Sequence, residues 1–221
     1  MQTLLPDPFS NKDLDRLLSA WVHGWTISRG TAAPIPLVCF GHRVQVGLPG
    51  HLERYILQGH IPTTIQRLAQ ELDTPDTWLK ICAPQAAIAG LLPGRWQIKA
   101  PEYLMVKALQ TGNAAPGHGY TIKLKEDGAL ATARACNAEG QVAATGRVAL
   151  SGQHAIFDQI VTEPAHRRRG LGNAIMQTLC NHALDRQANT GVLVATADGF
   201  ALYKAMGWTL CSEMTAAILV G

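Results

Sequence analysis

Charge is scarce in this sequence. Only 16% of the 221 residues are Asp, Glu, Lys or Arg, against about 25% in an average soluble domain. With 47% apolar residues the chain can bury a core, and disorder driven by charge is excluded. The two signs are also close to balance. Nineteen basic against sixteen acidic residues leave +3, too little and too scattered to argue for a nucleic-acid or membrane partner. Paired cysteines are missing: Cys39, Cys82, Cys136, Cys180 and Cys211 are odd in number, far apart and without a C-x-x-C spacing. Neither a disulfide framework nor a zinc site is suggested, and the five read as reduced, mostly buried thiols. His23, His42, His51, His60, His118 and His182 share no metal-ligand spacing, so no metal is expected. No run reaches the ~18 apolar residues of a membrane span. The N-terminus carries Asp7, Asp13 and Asp15 without the apolar stretch of a leader, so a soluble cytoplasmic protein is expected.

What is present is a clear pattern of elements. At roughly 100–200 residues per domain the length allows one large domain or two small ones. Gln110–Gly119 has Gly, Pro and Asn but no large apolar residue, and the boundary is placed there, between an N-terminal region 1–110 and a C-terminal domain 120–221. Tyr120–Lys125, Ala129–Cys136, Gln141–Leu150 and His154–Thr162 read as a four-stranded meander with turns at Asp127-Gly128, Asn137–Gly140 and Ser151-Gly152. Glu163-Pro164 stops the last strand, and from about Arg169 the apolar residues Leu171, Ile175, Leu179 and Ala183 recur at helix spacing. Val192–Ala195 is a continuous apolar run typical of a buried strand. A short helix Gly199–Met206 and a last strand Trp208–Val220 follow.

The first half holds a weak echo of this order. Strands are expected at Arg43–Gly47, Arg54–Leu57, Trp78–Cys82 and Trp96–Leu109, with helices at Thr63–Leu72 and Pro84–Leu92. The β-α-β-α-β order occurs in both halves, which reads as a degenerate duplication. Trp21, Trp25, Trp78, Trp96 and Trp208 are read as core aromatics.

The chemistry sits at the strand-to-helix junction Pro164-Ala-His-Arg167-Arg168-Arg169-Gly170-Leu171-Gly172. Two glycines at a helix start let a ligand approach the backbone, and the free N–H groups with the helix dipole make an anion site. Three arginines add positive charge, and a diphosphate suits such donors. A dinucleotide-binding G-x-G-x-x-G is excluded because its third glycine position is Ile175, and no Lys-Ser/Thr follows as in a P-loop.

The stretch resembles the acetyl-CoA pyrophosphate loop of the GNAT superfamily of acyl-CoA-dependent N-acyltransferases, Gln/Arg-x-x-Gly-x-Gly/Ala. Arg167, Gly170 and Gly172 fill its fixed places. A second stretch, Thr196-Ala-Asp-Gly199-Phe-Ala-Leu202-Tyr203-Lys-Ala-Met-Gly207-Trp208, is similar to the family pattern N-x-x-A-x-x-L-Y-x-x-x-G-F, departing from it at Thr196 and Gly199. The resemblance covers about residues 120–221. It implies a mixed α+β fold: a twisted mixed sheet with splayed central strands, preceded here by the smaller, degenerate GNAT-like half. It also implies an enzyme that transfers an acetyl group from acetyl-CoA, a cosubstrate, to a primary amine by direct attack. Ile160, Val161 and Thr162 would hold the thioester on strand backbone, with N–H groups as oxyanion donors. Arg167, Arg168, Arg169, Gly170, Leu171 and Gly172 would hold the pyrophosphate, and Thr196 would contact the cofactor arm. Tyr203 would protonate the leaving thiolate.

An ammonium with a pKa near 8–10.4 must lose a proton before attack. His154, Ile156, Asp158, Ile160 and Thr162 share one strand face by the period of two, and Asp158 is the candidate base. The acceptor would be a small-molecule or peptide amine, chosen by loops of residues 1–110, and a homodimer is left open. The rival is a non-catalytic acyl-CoA-binding or partner-binding GNAT-like module.

Overall fold

The structure is a computed structural model that describes residues 9–38 and 40–221; Asp7 and Cys39 lie outside the described residues. In chain order the elements are α1 (Asn11–Arg29), β1 (Ile35–Leu37), β2 (Gly41–Leu48), β3 (His51–Leu57), α2 (Pro62–Glu71), β4 (Thr77–Ile81), α3 (Gln85–Ile88), β5 (Trp96–Ile98), β6 (Glu102–Ala108), β7 (Thr121–Asp127), β8 (Leu130–Cys136), β9 (Val142–Ser151), β10 (His154–Thr162), α4 (Leu171–Asp185), β11 (Thr190–Thr196), α5 (Ala197–Ala205) and β12 (Thr209–Leu219). This is the mixed α+β fold the resemblance implies. Contacts gather it into two compact units. One holds the described residues up to Val22 with Thr31–Val106 and Val194–Gly221; the other holds His23–Gly30 and Lys107–Leu193.

In the first unit β2 pairs antiparallel with β1 and β3. β3 and β4 pair in parallel across the α2 crossover, and β12 lies antiparallel to β4 on one side and to β5 and β6 on the other. Pro62 opens α2 at its first turn, where a missing N–H costs nothing. The α2 side chains Ile65, Leu68 and Ala69 enter a core with Leu57, Leu79, Ile81 and Trp96. The single strand expected over Trp96–Leu109 is two, because Pro101 lies between β5 and β6 and cannot donate to a ladder. The helix expected over Pro84–Leu92 is one turn of α3 followed by a 3-10 turn, Ala89–Leu91.

α1 was not anticipated. Its start is a reciprocal cap in which Ser10 Oγ accepts from Asp13 N–H (3.2 Å) while Asp13 Oδ2 accepts from Ser10 N–H (3.3 Å). Leu17, Leu18, Trp21, Val22 and Trp25 are buried at helix spacing.

The second unit is the expected meander. β7, β8, β9 and β10 pair antiparallel in order, and β11 pairs in parallel with β10 after the α4 crossover. Leu171, Ile175, Leu179 and Ala183 of α4 are all buried, and the helix lies on β8, β9 and β10. Alanines 131, 133, 135, 144 and 155 are buried with them; small side chains allow a close helix approach. The register of the meander fixes two faces. Lys123, Arg134, Thr145 and Val161 are cross-strand partners, as are Lys125, Thr132, Arg147 and Asp158. Both rows lie on the same side of the sheet, because residues opposite each other in a ladder share a face.

Candidate functional site

The parallel ladder between β10 and β11 covers only three pairs among the described residues, His154–Ile156 against Thr190–Val192. β10 continues for six more residues, and there its register against β9 breaks. Asp158 faces Arg147 and Val161 faces Thr145, so Gln159 and Ile160 together oppose Gly146. This is a β-bulge, which bends the strand and releases an amide from the ladder. Gln159 sits at φ 53°, an uncommon backbone state for a residue with a Cβ. Gly146 is what lets the bulge close on α4. A Cβ there would lie 2.6 Å from Ile160 Cδ1 and 2.6 Å from Ile175 Cγ2. Ile160, Val161 and Thr162, expected to hold the thioester, are therefore the bulge and the strand end beyond it.

The loop that follows is a 3-10 turn, Pro164–His166, and then Arg167, Arg168 and Arg169, all exposed. Arg168 has φ 62° and Gly170 has φ 75°; the glycine takes that state without strain. Gly170 is the N-cap of α4 and has no side chain to cap it. The first helical bond runs from Ala174 N–H to Gly170 C=O (3.0 Å), so the N–H groups of Leu171, Gly172 and Asn173 precede the helical ladder at its positive end. A Cβ at Gly172 would have one neighbour, Thr162 Oγ1 at 3.6 Å, so the space over these amides is open to a ligand. A phosphate group fits this cradle. Two side chains brace it. Arg167 Nε donates to the Thr162 carbonyl (3.2 Å), and Arg169 Nη1 donates to Tyr120 Oη (2.9 Å), which also bonds His166 Nδ1 (2.9 Å). Tyr120 was not singled out from sequence, because it stands 49 residues from Arg169.

Asp158 lies on the sheet face opposite α4, beside the bulge. Its Oδ2 accepts from Arg29 Nε (2.6 Å) and Ser28 Oγ (2.7 Å), and its Oδ1 accepts from Arg29 Nη2 (2.9 Å). Arg147 Nη1 donates to the Ser28 carbonyl (2.6 Å). The C-terminal end of α1 is thereby fastened to β9 and β10. Gly24 permits this approach, since a Cβ there would lie 2.5–2.7 Å from the Ile156 side chain. Ser28 and Arg29 carry no local signal of this role, being 130 and 129 residues from Asp158.

In the first unit, Thr196 is the N-cap of α5, and its Oγ1 accepts from Gly199 N–H (3.3 Å). Tyr203, half-buried on α5, meets Trp208 edge-to-face at 6.0 Å. The two departures from the family pattern have physical reasons. Thr196 can cap as an Asn would, and Gly199 leaves room for Tyr203, whose Cε2 would lie 3.2 Å from a Cβ there.

The model of the acetyltransferase (GNAT) family matches residues 90–208, more than half of the chain. Among solved structures, the fold is similar to a GCN5-related N-acetyltransferase from Kribbella flavida, with a TM-score of 0.64 at 16% identity over 94% of this chain and 96% of that one. It is also similar to a GCN5-related N-acetyltransferase-like protein from Streptococcus suis (TM-score 0.52, 14% identity, 75% and 79% covered). A tandem GNAT protein from the clavulanic acid biosynthesis pathway gives a TM-score of 0.51 at 13% identity, with 69% and 66% covered. At these identities the likeness is one of fold. No curated protein sequence matches the chain.

Proposed function

Because this chain belongs to the GNAT acetyltransferase family, we propose that it transfers an acetyl group from acetyl-CoA to a primary amine by direct attack, without an acyl-enzyme. The observation that carries the reading is the uncapped N-terminus of α4, with open space at Gly172 and three exposed arginines before it. Acetyl-CoA supplies the activated acyl group; the rest falls to this chain's residues. The amides of Leu171 and Gly172 bind diphosphate oxygens, and Arg167, Arg168 and Arg169 balance their charge. The bulge at Gln159–Ile160 turns backbone donors of Ile160 and Val161 toward the acyl oxygen, and Thr162 continues that edge; one such donor is worth about 2.7–4 kcal/mol in other acyl transfers. Thr196 holds the start of α5 and contacts the pantetheine arm. Tyr203 gives its phenolic proton to the departing sulfur as the C–S bond breaks.

Asp158 takes the proton of the incoming ammonium. Its oxygens are engaged by Arg29 and Ser28, so the ammonium replaces Arg29 as the positive partner before the proton passes. Arg29 is 38% exposed and has water to swing into. Residues 120–221 form the acetyl-CoA-binding part of this scheme, and loops of 1–110 choose the acceptor. The test is release of CoA thiol from acetyl-CoA over a panel of primary amines. Release that falls about 100-fold or more in Tyr203→Phe supports the scheme. Binding of acetyl-CoA with no release on any amine favours a non-catalytic acyl-CoA-binding module.

A further inference from the structure

We propose that the acceptor amine carries a carboxylate or phosphate group, and that Arg134, with Lys123 opposite it, binds that group on the open face of β7–β10. The inference rests on the acetyl-transfer reading and names the substrate class for it. On the sheet face opposite α4 a groove of about 250 Å³ is lined by Thr132, Arg134, Thr145, Arg147, Gln159 and Val161. Two of these, Gln159 and Val161, belong to the bulged stretch of β10, so the groove opens where transfer is placed.

The charges in it are unbalanced. Lys123 and Arg134 are direct cross-strand partners, and like charges in that position destabilise a ladder. The side chains of Arg134, Lys123 and Lys125 make no ion pair or hydrogen bond with described residues. The acids nearby are engaged elsewhere or stand apart. Asp158 is held by Arg29 and Ser28; Glu126 is paired with Arg186 and His182 on the other face; Asp127 lies at the far end of the strand, opposite Leu130. A sheet that places two cations face to face with no acid between them is built for an anion from outside. A guanidinium is the group that grips a carboxylate or phosphate with two parallel bonds, and Thr132 and Thr145 flank it with hydroxyls. None of the six lining residues is aromatic, so the groove has no platform for stacking a nucleic-acid base.

The spacing sets the ligand. Asp158 on β10 lies in one row with Arg147 and Thr132, and Arg134 is two residues further along β8, about 12 Å away at the backbone, so an amine at Asp158 and an anion at Arg134 belong to one small molecule with a spacer of several bonds. The surface continues past Arg134 into a wider groove of about 590 Å³ that includes Lys123 and Lys125, with Asp127 at its far end; the part beside Arg134 and Lys123 gives a larger anionic group room.

The test uses matched primary amines: β-alanine against propylamine, 4-aminobutyrate against butylamine, and O-phosphoethanolamine against ethanolamine. Each is titrated calorimetrically into full-length protein saturated with CoA, which fills the α4 loop, and thiol release from acetyl-CoA is followed in parallel. At least one anionic member should bind ten-fold or more tighter than its neutral partner, and the carboxylate and phosphate arms show which anion is preferred. Arg134→Ala should erase the preference, and Arg134→Lys should keep part of it. Arg134 is exposed, and relief of the Lys123 contact should leave the thermal midpoint of Arg134→Ala equal or higher. Equal binding within every pair, or a preference that survives Arg134→Ala, overturns the anion site. Thiol release with neutral amines alone overturns it and leaves acetyl transfer standing. Arg134-dependent binding with no thiol release overturns acetyl transfer and leaves the anion site.

Discussion

Gly172→Ala should make the protein more stable and a poorer binder of acetyl-CoA. Gly172 is the second residue of α4 and has no positive φ. The added methyl would meet only Thr162 Oγ1, at 3.6 Å, an ordinary contact. Replacing Gly by Ala in a helix is worth up to about 1 kcal/mol, which raises the midpoint of a chain of this size by about 2–4 °C. The same methyl stands over the amides of the first turn, where the phosphate must approach. Losing one hydrogen bond to a charged group costs about 1.5–3 kcal/mol, a ten- to hundred-fold weaker dissociation constant at about 1.4 kcal/mol per decade. Thermal melting without ligand and calorimetric titration of acetyl-CoA read the two effects on one variant. A raised midpoint with unchanged affinity refutes the placement of the phosphate on these amides. A lowered midpoint refutes the open space above them.

Asp158→Asn should cut thiol release about 100-fold or more, while stability falls by only about 1 kcal/mol, the scale of a partly exposed pair; full turnover in this variant would leave Asp158 as a clamp for α1 alone. Gly24→Ala gains about 1 kcal/mol of helix propensity but forces a Cβ to within 2.5–2.7 Å of Ile156, an overpacking worth about 1–3 kcal/mol. Urea denaturation should show net loss, and a gain of the full propensity would contradict the close approach. Burial pushes the Cys82 thiol up to about 12 and the Cys180 thiol up to about 11. Raised folded values contribute stability that is complete below pH 9 and is lost as pH rises through 11 and 12, at about 1.4 kcal/mol per pH unit for each thiol. Unfolding free energy should fall from pH 9 to 11 and the fall should flatten in a Cys82→Ala, Cys180→Ala double variant; a wild-type profile level over that range contradicts the burial.

Period and punctuation carried much of the fold. β10 runs from His154 to Thr162 as expected because Gly152 and Pro164 bound it. α4 was legible because Leu171, Ile175, Leu179 and Ala183 recur at one spacing behind two glycines. α1 does carry local signals, the Ser10–Asp13 cap and the run of Leu14, Leu17, Leu18, Trp21, Val22 and Trp25 at helix spacing. The bulge was not legible at all. Gln159 has no preference for positive φ that a sequence would announce, and the reason for it, Gly146 opposite with Ile175 beyond, exists only after β9, β10 and α4 have packed. The partners of the site residues were hidden for the same cause. Tyr120 reaches Arg169 and Arg29 reaches Asp158 across 49 and 129 residues, and a periodicity of two or four cannot report on contacts at that range.

If the α4 N-terminus and its arginines hold acetyl-CoA, the thermal midpoint must rise when acetyl-CoA is added. At 100 times the dissociation constant the ligand should stabilise by about 2.7 kcal/mol, a rise of about 5–11 °C for a chain of this length. Gly172→Glu places a carboxylate over the same amides without backbone strain and should abolish the rise while the unliganded protein melts normally. A wild-type midpoint unmoved at millimolar acetyl-CoA, or an equal rise in Gly172→Glu, contradicts the account.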